Sequence, residues 1–186
     1  MAKEIKLQTP LTSEILEKLQ VGDKILLSGT IYTARDAAHK RLVELLEAGK
    51  ELPFDPVGAV IYYVGPAPAR PGKAIGSAGP TTSYRMDPYA PVLMDAGLKA
   101  MIGKGPRGQS VLDSMVKNKA VYLAAVGGAA VVTAQAVKSA KIIAYEDLGA
   151  EAIRELKVVD FPVFVANDTR GNDIFKLGVE KYQIDN

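Results

Sequence analysis

Three cations stand where strand-like residues give way to helix-like ones. Arg35 lies in residues 29–39 (G-T-I-Y-T-A-R-D-A-A-H), Arg85 in residues 79–87 (G-P-T-T-S-Y-R-M-D) and Lys104 in residues 103–108 (G-K-G-P-R-G). A planar arginine fork meets a carboxylate with two parallel donors, and lysine adds a point charge on a long stem. Strand-to-helix junctions in α/β proteins can gather at one end of a sheet. If these three converge, they form a pocket for a small dicarboxylate. Thr81, Thr82 and Ser83 precede Arg85 and could add hydroxyls to that pocket. The plainer alternative is a Ser/Thr capping cluster beside a solvated Arg85, with Asp87 capping the helix that follows. His39, the chain's one histidine, is four residues beyond Arg35 and shares its helix face if the helix begins that early. It is a candidate acid–base group, against the ordinary alternative of a structural histidine near a helix start.

Residues 103–108 also fit G-x-G-x-x-G, between a strand pattern and a helix pattern, as a dinucleotide-binding turn would. Such a turn needs an acid about 20 residues on, and residues 122–128 contain none. The preferred reading is a tight strand-to-helix turn that leaves Lys104 and a helix N-terminus free to meet an anion. Gly127-Gly128 marks another such junction, either a sharp turn or a stretch of N–H groups facing a ligand or partner. The phosphate-binding pattern G-x-x-x-x-G-K-[ST] is absent from the sequence.

Composition narrows the chemistry further. There is no cysteine, so disulfides, thiolate nucleophiles and a cluster held by this chain's own sulfurs are all excluded. With a single histidine, a Cys/His zinc site is excluded as well. The net charge of +2 is spread without a Lys/Arg run, which speaks against a nucleic-acid surface. No apolar run approaches the roughly 20 residues that span a bilayer. Residues 1–10 lack the apolar centre of a signal peptide, so a cytoplasmic location is expected.

Positioning these groups falls to an α/β chain. Helical patterns are expected over residues 12–19, 34–48, 89–96, 108–117, 129–138 and 150–156. Strands are expected over 24–30, 58–64, 98–102, 121–126, 142–145 and 157–166, the last as one strand or two. Residues 65–84, with four prolines between Pro66 and Pro80, read as a long loop or irregular hairpin, a length often tied to function. Alternating helices and strands predict a single layered α/β domain with a mixed sheet and some parallel pairing, spanning residues 1–186.

Taken in order, residues 22–42, 60–66, 79–87, 122–135 and 166–173 resemble the C-terminal region of class I fumarate hydratases and the β subunits of two-subunit fumarate and tartrate dehydratases. The resemblance implies a swivelling β/β/α domain and a hydro-lyase activity, with fumarate favoured over tartrate. It also implies a partner α subunit whose cysteines hold a [4Fe–4S] cluster, without which this chain would be inactive. Matched position by position, the family's substrate-binding residues fall on Arg35, Arg85 and Lys104. Its catalytic base falls on Thr81, with Thr82 as the alternative register. Tyr84 departs from the small residue often found at its position. A non-catalytic assembly module of the same fold, or an unrelated anion-binding domain built on the 103–108 turn, are the competing readings.

Overall fold

The structure, a computed structural model, describes residues 4–125 and 130–182. In chain order its elements begin with strand β1 (Glu4–Gln8), helix α1 (Ser13–Leu16), strand β2 (Lys24–Thr33), helix α2 (Asp36–Glu47) and strand β3 (Val60–Tyr62). A 3₁₀ turn (Ser83–Met86) leads to helix α3 (Ala90–Asp95), strand β4 (Ala100–Gly103), helix α4 (Gln109–Asn118), strand β5 (Val121–Ala124) and helix α5 (Ala130–Ala136). Strand β6 (Val137–Ala144), a second 3₁₀ turn (Glu146–Glu151), strand β7 (Ile153–Asn167) and helix α6 (Ile174–Tyr182) complete the described chain.

The fold is mixed α/β, built on one mixed sheet. β2, β3, β4 and β5 pair in parallel, and β7 pairs antiparallel with both β5 and β2, closing a ring of five strands. The two long strands carry additional partners. β1 runs parallel to the first half of β2, and β6 runs antiparallel to the first half of β7. Closure gives the sheet two buried faces, so its strands are apolar runs rather than alternating ones. In residues 60–64, Val60, Tyr62 and Val64 join one core with Ile25, Leu27, Ile102, Leu123 and Val163, whereas Ile61 and Tyr63 join a second. Helices α2, α3 and α4 pack on this second face through Ala38, Leu42, Leu93, Val111 and Met115, residues at helical spacing.

Four sequence expectations change. Residues 150–156 are not a helix: Gly149, at φ 58°, breaks the second 3₁₀ turn, and Ile153 and Leu156 enter β7 as buried strand residues. Ladder pairing and burial outweigh the weak helical propensity of A-E-A-I-R-E-L. Residues 129–138 contain a shorter helix, because Val137 opens β6 opposite Val158, and β6 therefore begins five residues before the expected strand at 142. The first helix keeps only residues 13–16 of the expected 12–19, and Thr12 supplies no side-chain cap. β1 carried little sequence signal, since only Leu7 in it is buried; β2 recruits it as a parallel partner. Helix α6 was not expected from the sequence; the other strands and helices fall within a few residues of their expected positions, and β7 is one long, bulged strand.

Leu123→Ala, inside the closed ring and fully buried, is expected to lower unfolding free energy by about 2–5 kcal/mol. Val159→Ala, on the half-exposed bend of β7, should stay within about 0.5 kcal/mol of wild type. Urea unfolding of the two variants checks the contrast.

Candidate functional site

Because β2, β3 and β4 run in the same direction, their carboxyl ends share one rim of the sheet. The long loop returns to this rim and is stitched to it. Thr81 N–H donates to Tyr63 O (2.7 Å) just past β3, Thr82 forms a parallel bridge with Lys104 just past β4, and Ser83 N–H donates to Lys104 O (2.9 Å). Gly103 allows this approach, since a Cβ there would overlap Ser83 Oγ. Tyr122, on β5, completes the anchor. Its hydroxyl donates to Gly105 O (3.0 Å) and accepts from Ser83 Oγ (2.8 Å), and burial pushes its phenol well above the ordinary range. Thr81, Thr82 and Lys104 are thus brought together by the backbone, and their side-chain polar atoms have no hydrogen-bond partner among the described residues.

Arg35 enters the rim from the end of β2. It occupies the position before α2 and lies against Gly65, whose added Cβ would stand 3.0 Å from Arg35 Nη1. Its Nη2 is 3.4 Å from Glu151 Oε1, while Glu151 Oε2 accepts from Ala37 N–H (3.2 Å). Arg85 reaches the same place from the 3₁₀ turn, its Nε donating to Asp36 Oδ1 at 2.9 Å. The other oxygen of Asp36 lies 3.9 Å from Arg35 Nε. One carboxylate therefore stands between the two arginines. The Nη groups of Arg85 have no partner among the described residues, and its side chain is 44% exposed.

Behind the rim, Arg107 is a buried cation. Its side chain is 0% exposed, its Nε donates to Asp87 Oδ1 (2.7 Å), and its guanidinium lies over the Tyr63 and Tyr122 rings at 5.3 and 5.1 Å. Asp87 also accepts from Gly108 N–H (2.7 Å) at the start of α4. Two expectations are corrected here. Asp87 does not cap the following helix α3, and its carboxylate stands beside Gly108, directly before α4, where an anion was expected. A carboxylate at that point also repels a phosphate, against the G-x-G-x-x-G reading. The Gly127-Gly128 junction lies outside the described residues.

His39 is not brought to the rim's surface. It is fully buried, edge-on to Tyr63 at 5.2 Å, and its Nδ1–H donates to Arg35 O at 2.9 Å. Burial depresses its pKa to about 4, against a partial lift from the Arg35 carbonyl, so the ring is neutral near pH 7. Its contribution is to fix the backbone that carries Arg35.

Asp36, Glu151, Arg107 and Tyr122 were not singled out from the sequence. Asp36 had a usable signal, an acid directly after Arg35 in the first turn of a helix. Glu151 had none, because its role depends on contacts far along the chain. Among the described residues no group of three or more His, Cys, Asp or Glu could hold a metal ion, and the sequence has no cysteine. The residues present do not fit as ligands of an iron–sulfur cluster. No helix of the described residues is long and apolar enough to cross a membrane.

The family profile described as fumarase C-terminus matches residues 1–178. The anaerobic class I fumarate hydratase of Escherichia coli K12 is 43% identical over 185 residues, covering 97% of this chain and 34% of that protein. The mitochondrial fumarate hydratase 1 of Leishmania major is 41% identical, covering 88% of this chain and 31% of that protein. A putative L(+)-tartrate dehydratase subunit beta from Methanocaldococcus jannaschii is 39% identical, covering 89% of this chain and 88% of that protein. The chain thus spans about a third of the fumarate hydratases it matches and most of the tartrate dehydratase subunit.

The buried histidine generates a pH prediction. Its folded pKa of about 4 lies below the unfolded value of about 6.5, so the unfolded chain binds the extra proton between these values. The His39 contribution is therefore complete above pH 6.5 and is lost as pH falls through the window to 4. Its slope is at most about 1.4 kcal/mol per pH unit. Urea unfolding across this range should show wild type losing stability faster than His39→Phe. Parallel curves would mean that the imidazole protonates in the folded state as readily as in the unfolded one.

Proposed function

Because this chain belongs to the fumarase C-terminus family, we propose that it is the β subunit of a two-subunit [4Fe–4S] hydro-lyase, a fumarate hydratase interconverting fumarate plus water with (S)-malate. The observation that carries this reading is the rim itself. Arg35 and Arg85 flank Asp36, the backbone of Thr82 bridges that of Lys104, and these segments leave the carboxyl ends of adjoining parallel strands; the Arg85 Nη groups have no partner among the described residues. A dianion of two carboxylates matches two arginine forks and one lysine.

The cluster would be held by a partner α subunit, since this chain has no cysteine to ligate it. The mixed ring would be the body of a swivelling β/β/α domain that turns as a unit against that partner. This chain's residues bind the substrate and handle one proton. In the dehydration direction, Thr81 Oγ, as its alkoxide, takes the proton from the carbon beside one carboxylate and the electron pair is delocalised onto that carboxylate; the pair then returns to form the C=C bond as the hydroxyl on the neighbouring carbon leaves, protonated to water by a group of the partner subunit. Arg35, Arg85 and Lys104 stabilise the added negative charge, which is largest at the transition state. A threonine hydroxyl is a weak base, and nearby cations are the environment that makes its alkoxide accessible. In hydration the same hydroxyl returns the proton to carbon. Thr82, held by its bridge to Lys104, is the alternative base if the loop register differs.

Tartrate is the second candidate substrate. The relative that this chain matches over 88% of its length is named as a tartrate dehydratase β subunit. Both substrates present two carboxylates to the same cations.

In the complex with a cluster-loaded α subunit, assayed with fumarate and tartrate in parallel, Arg85→Ala should lower turnover at least about a hundredfold. Iron content should be unchanged. Turnover that falls only in proportion to lost iron would assign the chain to assembly rather than to substrate chemistry.

A further inference from the structure

Resting on that reading, we infer that Asp36 is a positioning residue that aims Arg85 at the substrate carboxylate. A guanidinium can grip a carboxylate either along its Nε side or across its two Nη groups. Asp36 Oδ1 takes the Nε of Arg85 at 2.9 Å, and the two Nη groups have no partner among the described residues. Occupying one edge leaves only the other for a ligand and fixes the plane of the fork. The 3₁₀ turn carrying Arg85 spans four residues and ends a long loop, so its own backbone holds the side chain weakly.

Asp36 is itself held firmly. It is the first residue of the twelve-residue α2, where a carboxylate is favoured by the helix dipole. Its Oδ2 is a buried oxygen without a hydrogen-bond partner, facing Arg35 Nε at 3.9 Å. Arg35 Nε is likewise buried and unpartnered. Asp36 is thus committed to Arg85 and only loosely engaged by Arg35, whose Nη2 leans toward Glu151 instead. The four groups, two arginines and two acids, balance in charge at rest, leaving Lys104 as added positive charge beside Thr82. The acids orient the forks and reduce their mutual repulsion, and the substrate's carboxylates then find donors already aimed.

The test uses the complex with the cluster-loaded α subunit, comparing wild type, Asp36→Ala and Asp36→Asn by steady-state kinetics, iron content and thermal midpoint. The inference expects Asp36→Ala to raise KM for the dicarboxylate by about tenfold to a hundredfold with iron content kept. Asparagine retains the Oδ1 acceptor and should restore KM to within about fivefold of wild type. Wild-type KM in Asp36→Ala, or an Asp36→Asn variant as poor as alanine, overturns the inference while leaving the functional reading intact. A wild-type complex that turns over neither fumarate nor tartrate overturns the functional reading, and the inference with it.

Discussion

β7 hydrogen-bonds to β2 along one side and to β5 along the other, and everything else in the architecture follows from that double pairing. A parallel run of four strands would otherwise end in two open edges. Closing it with one long antiparallel strand seals an apolar interior filled by Ile25, Leu27, Val60, Tyr62, Ile102, Leu123 and Val163. It also fixes which ends of the strands lie together. The segments leaving β2, β3 and β4 emerge at one rim, and each carries or anchors a charged or hydroxyl side chain.

The rim solves an electrostatic difficulty by pairing. Several cations near one another repel, and a site for a dianion needs them close. Asp36 between Arg35 and Arg85, and Glu151 beside Arg35, offset that repulsion without covering the Arg85 Nη groups or Lys104. Beneath them, Arg107 is fully desolvated between two tyrosine rings and held by Asp87. Such a buried pair is weak evidence of net stabilisation, but losing either partner leaves an unpaired buried charge. It locks the start of α4 to the 3₁₀ turn, and so keeps the Thr81–Arg85 segment in register with Lys104. His39 does the same for Arg35 through the backbone, as a neutral ring under the sheet's helical layer.

Much of this was legible in the sequence where local pattern and burial agree. The apolar run of residues 60–64 and the helical stripe of α2 ended by Gly49 are examples. The three cations could be named because each sits at a junction of two patterns. What the sequence left hidden depends on partners far along the chain. Residues 150–156 have a helical look, and only pairing with β2 and β6 makes them strand. Asp87 reads as the cap of the nearest helix, yet its partners are Arg107 and Gly108, about twenty residues away. Lone His39 invited a chemical role, and its full burial beside the Arg35 backbone was not legible in the sequence. Charge pairs such as Asp36 with Arg85, 49 positions apart, belong to the same class.

The most direct test of the account is hydratase turnover measured anaerobically for this chain alone, for a cluster-loaded α subunit alone, and for their mixture. The account predicts turnover of fumarate, or of tartrate, in the mixture only. A verified complex with an intact cluster and no turnover of either dicarboxylate would contradict it.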